Sequence, residues 1–147
     1  MADTTYLKKV VEPYVRDQLN KEFNVPFESK VLNLTTGGKH EFDAVSDDKN
    51  IVAAIKSAGG MTITNKKPSG KIKDSLSELY FLTLVQASKK MLILTSEEFH
   101  GILSNFLKGR LALGLELKLM QLPMEIQHQV EKIRQKASSE VSKSSKR

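Results

Sequence analysis

The stretch Glu41-Phe42-Asp43-Ala44-Val45, a short polar turn, and then Ile51-Val52-Ala53-Ala54-Ile55-Lys56 decides how this chain is read. Side chains along a strand alternate between two faces. His40, Phe42 and Ala44 are therefore expected on one face of the first strand, with Glu41, Asp43 and Val45 on the other. In the second strand Ile51, Ala53 and Ile55 alternate with Val52, Ala54 and Lys56. A two-residue turn at Asp47-Asp48 would set Asp43 opposite Val52 and diagonal to position 54, on the face of Lys56, with diagonal neighbours roughly 7 to 8 Å apart. A metal ion can bridge that diagonal. A hard cation such as Mg2+ is held by oxygen ligands and keeps positions open for water and a phosphate. Such a site usually takes two carboxylates, and here the residue two before Lys56 is Ala54.

An acid on one strand followed by acid-any-Lys on the next is the signature of the PD-(D/E)XK nuclease superfamily, the restriction-endonuclease-like fold. The hairpin resembles it, with Asp43 at the first acid and Lys56 at the lysine, and the order of elements over about residues 5 to 122 extends the likeness. The resemblance implies that Asp43 and residue 54 bind a divalent metal, Mg2+ or Mn2+, aided by the main-chain carbonyl of Ile55. It implies that Lys56 orients or activates the attacking water. Ala54 departs from the pattern, so metal affinity and turnover are expected to be impaired. Ala54 reads first as a substitution made to inactivate an enzyme, since a Glu there restores the signature in one change. It is also compatible with natural loss of activity, or with migration of the acid to another element. Some members of the family carry an acid on the following helix, where Glu78 stands, with Asp74 one turn earlier; Glu12 matches an accessory acid on the first helix of many relatives. Without the resemblance, all three are ordinary solvated helix charges.

Length and composition suit one small domain of 147 residues with a real core. No segment approaches a membrane span and the N-terminus lacks a signal-peptide pattern, so a soluble, cytoplasmic protein is expected. The absence of cysteine excludes disulfides and thiolate metal sites, and three scattered histidines argue against zinc. A net charge of +6 and a pI near 9.5 favour acidic partners, nucleic acid first among them.

Leu7, Val10, Val11, Tyr14 and Val15 mark an amphipathic helix to about Phe23, which Pro13 should bend or restart. A strand near Glu28 to Leu34 joins the motif hairpin in a three-strand meander. Ser57 to Gly70 reads as a long loop whose Lys66-Lys67 could grip a phosphate backbone. A second helix carries Ile72, Leu76, Leu79, Tyr80, Thr83, Leu84 and Ala87 on one face. Met91-Leu92-Ile93-Leu94 is a buried strand, Thr95 and Glu98 form a capping box for a helix to about Lys108, and a last strand runs from Leu115 to Leu122. The expected fold is an α/β restriction-endonuclease-like sandwich, a mixed central sheet with helices on both faces in the order α-β-β-β-α-β-α-β. Residues 1–123 form the nuclease-like domain, and 124–147 an amphipathic helix with a basic tail. The stripe Ile126, Val130, Ile133 and Ala137 docks on its own domain or on a second copy.

No Gly-rich phosphate loop or nucleophile elbow is present. Two functions are left: a Mg2+-dependent endonuclease acting on DNA, impaired by Ala54 and working as a homodimer, or a non-catalytic nucleic-acid-binding or assembly protein that kept the fold.

Overall fold

The computed structural model describes residues 7–57 and 69–133. Lys66 and Lys67, in the stretch expected to be a loop, and residues 134–147 lie outside the described residues. Among the described residues, no helix is long and apolar enough to cross a membrane.

Helix α1 (Glu12–Phe23) follows a π-helical turn at Leu7–Val11. The change occurs where Pro13 enters the first α-turn, the place at which a missing N–H costs least. Val11, Val15 and Leu19, spaced by four, are buried. Asn24 ends the helix in the left-handed conformation, φ 56°, returning its N–H to the Asn20 carbonyl at 2.8 Å.

Strands β1 (Phe27–Asn33), β2 (Lys39–Ser46) and β3 (Ile51–Lys56) form the expected antiparallel meander. Helix α2 (Ser69–Thr83), β4 (Lys89–Leu94), helix α3 (Glu97–Phe106) and β5 (Leu115–Leu119) follow, and β3-β4 and β4-β5 are parallel pairs. The result is an α/β fold around one mixed five-stranded sheet in the order β1-β2-β3-β4-β5. One core layer joins Val52, Ala54, Leu92 and Leu94 to Ile72, Leu79 and Leu82 of α2 and to Phe99 and Leu103 of α3. The other joins Ala44, Ala53, Ile55, Met91 and Ile93 to Val11, Val15 and Leu19. Ile126 and Val130, on the helical stretch 124–133, pack against this second layer, so this described part of the C-terminal stripe lies on the chain's own domain; Ala137 is outside the described residues.

Strand β5 ends at Leu119, short of the expected Leu122, and Tyr80, expected on the apolar face of α2, is exposed. Three further local features differ from the sequence expectation. The β2–β3 turn spans residues 47–50 rather than Asp47-Asp48 alone. Ser46 Oγ donates to Asp48 Oδ1 at 2.6 Å and accepts the Ile51 N–H at 2.9 Å, Asp48 accepts the Asn50 N–H at 3.0 Å, and Lys49 is left-handed at φ 62°. These bonds hold Asp48 below the usual carboxylate range, the Ser46 hydroxyl contributing most. Ala44 consequently pairs with Ala53 and Val45 with Val52, and continuing that register sets Asp43 across from Ala54.

The second difference is a β-bulge. Glu28 pairs with Val45 but Lys30 with Phe42, so Asp43 and Ala44 together oppose Ser29. The extra residue breaks the alternation. Phe42 and Val45 enter the same core layer, under α2 and α3, whereas Ala44 enters the layer under α1. Third, Ser96 rather than Thr95 caps α3, accepting the Phe99 N–H at 3.1 Å. Thr95 is buried at the end of β4, where its N–H meets the Lys56 carbonyl at 3.2 Å, which leaves Ser96 to turn into the helix.

Candidate functional site

Asp43 sits in the bulge, and the bulge decides what it touches. Its Oδ2 accepts the Ile55 N–H at 2.8 Å, so the carboxylate stands where a strand carbonyl would otherwise be. A strand residue sends its N–H and C=O to the same side. The Ile55 carbonyl therefore turns toward the same gap between β2 and β3. The main-chain carbonyl of Asp43, released from regular pairing, accepts the Arg16 guanidinium at 3.0 Å, and Arg16 pairs in turn with Glu12 at 3.7 Å. Glu12 thus reaches the site through Arg16, one helical turn on. Arg16 was not legible as a site residue, although its i,i+4 spacing from Glu12 is an ion-pair signal.

Burial pushes the Asp43 carboxyl above its ordinary range. The Ile55 N–H opposes that, the Glu78 carboxylate adds to it, and Lys56 and then Arg16 oppose it, leaving the net shift upward. Glu78 on α2 and Lys56 on β3 thus each lie within electrostatic reach of Asp43 on β2. Folding holds the Asp43 proton more tightly than the unfolded chain does. The stability that this group contributes is complete below its unfolded value of 3.8 and is lost as pH rises through the raised folded value. Asp43→Asn keeps an acceptor for Ile55 and cannot ionise. It is expected to raise the unfolding temperature at pH 7 and to leave it nearly unchanged near pH 3.5, and thermal unfolding across that range measures the difference. An unchanged or lower midpoint at pH 7 contradicts the assignment of burial as the dominant cause.

Glu78 is not an ordinary helix-face charge. Its side chain is 23% exposed, and its Oε2 lies 3.3 Å from His40 Nε2. Asp74, one turn earlier, is exposed. Regular alternation puts His40 on the face away from Asp43; the bulge between them removes that alternation, and His40 faces α2, stacked on Phe81 with ring centroids 3.9 Å apart and edge-on to Phe42 at 4.8 Å. Ala54 is fully enclosed in the core layer that includes Ile72 and Leu79 of α2. Ile55 is buried and Lys56 partly so, at the end of β3.

The donors here are carboxylate and carbonyl oxygens, the set a hard cation takes. Among the described residues, no three His, Cys, Asp or Glu side chains are grouped as a ready-made metal cage. Mg2+ commonly retains waters and takes one or two carboxylates beside substrate phosphate, so the donor chemistry of Asp43 and the Ile55 carbonyl suits it, with Glu78 as a further acid whose charge acts on Asp43. A cleft of about 530 Å3 opens at the C-terminal ends of β3, β4 and β5, lined by Ser57, Thr95, Ser96, Gln121 and His128 among others; Ser57 follows Lys56 in sequence, and Asp43, Lys56 and Glu78 are not among its lining residues. Open α/β sheets commonly bind ligands outside the carboxyl ends of their strands. No protein-family model matches the chain, and neither curated proteins nor solved structures yield a match.

Proposed function

We propose that this chain is a divalent-metal-dependent nuclease of PD-(D/E)XK type, acting on DNA, in which Glu78 of α2 supplies the acid that position 54 lacks. One observation carries this reading: Asp43 is held in the bulge with its Oδ2 on the Ile55 N–H at 2.8 Å, one residue before Lys56 on β3, and the charge of Glu78 on α2 acts on it. Two acids and a lysine then share one site without a carboxylate at 54. The element order and the mixed sheet agree with a restriction-endonuclease-like sandwich.

Asp43, Glu78 and the Ile55 carbonyl would hold the cation. When bound, Mg2+ or Mn2+ supplies charge that polarises the scissile phosphate and acidifies a water. Lys56 offsets negative charge that develops on the phosphate and positions the attacking water. Arg16 holds the Asp43 main chain, and the Ile55 N–H fixes one oxygen of its carboxylate, so the first acid is oriented before a substrate arrives. The cleft beside Ser57 offers room for the substrate flanking the phosphate. Ile126 and Val130 of the C-terminal stripe pack on the chain's own core, and this mechanism does not require a second copy.

The test is incubation of the unmodified chain with Mg2+ or Mn2+ and a panel of duplex, single-stranded and branched DNA and RNA. Metal-dependent cutting of DNA is expected, and an inert chain favours the non-catalytic binder. Binding should also weaken steeply with salt, because each phosphate contacted releases counterions. For six contacts, affinity falls on the order of a thousandfold between 50 and 200 mM salt. Fluorescence anisotropy on a labelled duplex reads this directly, and a flat salt response removes the motive drawn from the net charge of +6.

A further inference from the structure

Glu78 needs a restraint to serve as a ligand. It stands on a helix, its charge acts unfavourably on the Asp43 carboxylate, and its long stem gives it rotamers that turn that charge away. His40 supplies that restraint. Its Nε2 lies 3.3 Å from Glu78 Oε2, and both side chains are about four-fifths covered, with 21% and 23% exposed. The ring itself is fixed, stacked on Phe81 at 3.9 Å with 7° between planes and set edge-on against Phe42 at 4.8 Å. Phe81 follows Glu78 by three residues on α2, so one helix face presents both the carboxylate and the ring's support.

We propose that His40 is a positioning residue: its imidazole N–H holds the Glu78 carboxylate toward Asp43, so that the two acids together offer oxygen donors to a divalent cation. The proposal rests on the assignment of Glu78 as the second acid. A neutral imidazole with its hydrogen on Nε2 suffices, and stacking on Phe81 sets the direction in which that hydrogen points. A carboxylate held by one oxygen has a second to give. Neighbours that orient metal-binding side chains in this way typically contribute 10- to 100-fold in affinity.

The experiment is calorimetric titration of Mn2+ into the metal-free full chain and four variants, each also followed by thermal unfolding without metal. His40→Phe keeps the ring and removes the donor; His40→Gln keeps a donor and removes the ring; His40→Met, close to Gln in shape, keeps neither. His40→Phe and His40→Met are expected to lose about tenfold or more in affinity. His40→Gln should stay within about threefold of the unmodified chain, whatever its unfolding midpoint. Equal affinity for Gln and Met variants, or an unchanged affinity for His40→Phe, overturns the proposal and leaves His40 as packing. If His40→Phe does not fold, the Gln and Met pair decides alone. Glu78→Ala separates the two levels: lost binding there with unchanged His40 variants refutes only the positioning role, whereas unchanged binding in Glu78→Ala refutes the assignment of Glu78 as well.

Discussion

Ala54→Glu is expected to lower metal-free stability by about 3 to 5 kcal/mol, the usual cost of an uncompensated buried charge. Ala54 has no exposed surface and belongs to the layer joining β3 and β4 to α2 and α3. A glutamate there must displace packed apolar groups, which alone costs on the order of 1 to 3 kcal/mol. Its charge would also be added to a site where Asp43 and Glu78 already repel each other. A domain of this size has roughly 5 to 15 kcal/mol of stability in all, so the variant is expected near the edge of folding. Burial disfavours the ionised form, so the loss should shrink as the pH is lowered. Divalent metal should reverse part of it, by about 2.7 kcal/mol at a hundred times the dissociation constant. Chemical denaturation with and without Mn2+ measures both effects. A variant as stable as its parent without metal would show that position 54 tolerates an acid, and Ala54 would then read again as a substitution that inactivates an enzyme.

Lys56→Ala is expected to reduce metal-dependent cleavage by on the order of 100-fold or more, chiefly in kcat. A preorganised charge facing developing negative charge acts mainly in the transition state, and removing one such contact commonly has that effect. The variant should fold, because Lys56 is partly exposed at the end of β3 and its main-chain carbonyl still meets the Thr95 N–H. A second signature follows from its charge. Lys56 lowers the pKa of Asp43, so its removal should move the acid limb of the pH-rate profile to higher pH. Single-turnover cleavage across pH reads both quantities. A change in KM alone would assign Lys56 to substrate binding only.

Much of this architecture is written locally. The continuous apolar run Met91 to Leu94 suits a buried strand, Pro13 marks where the first helix restarts, and the order of elements follows from the hydrophobic periods. The bulge is different. It depends on how β1 and β2 pair, and nothing in the alternation of residues 40 to 45 announces an extra residue opposite Ser29. The parity of the hairpin fails there, and with it the direction of His40. The β2–β3 turn is longer than its two aspartates suggest because Ser46 and Asp48 extend it with side-chain bonds. The difference is two residues, an even number, so β3 keeps its faces and Lys56 stays on the side of Asp43. Glu78 is legible in the sequence only as one helix acid among several. What distinguishes it from Asp74 is a partner 38 residues away in sequence, a contact that no local pattern encodes.

The claim that Asp43 and Glu78 form one working acid pair is tested most directly by a single comparison. Unmodified chain and Glu78→Ala are assayed side by side for Mg2+- or Mn2+-dependent cleavage of the mixed DNA and RNA panel, with folding of both verified by thermal unfolding. The account predicts that the unmodified chain cuts DNA and that Glu78→Ala is at least about 100-fold slower. Equal rates for the two proteins, or an unmodified chain inert toward every substrate with both metals, would contradict it.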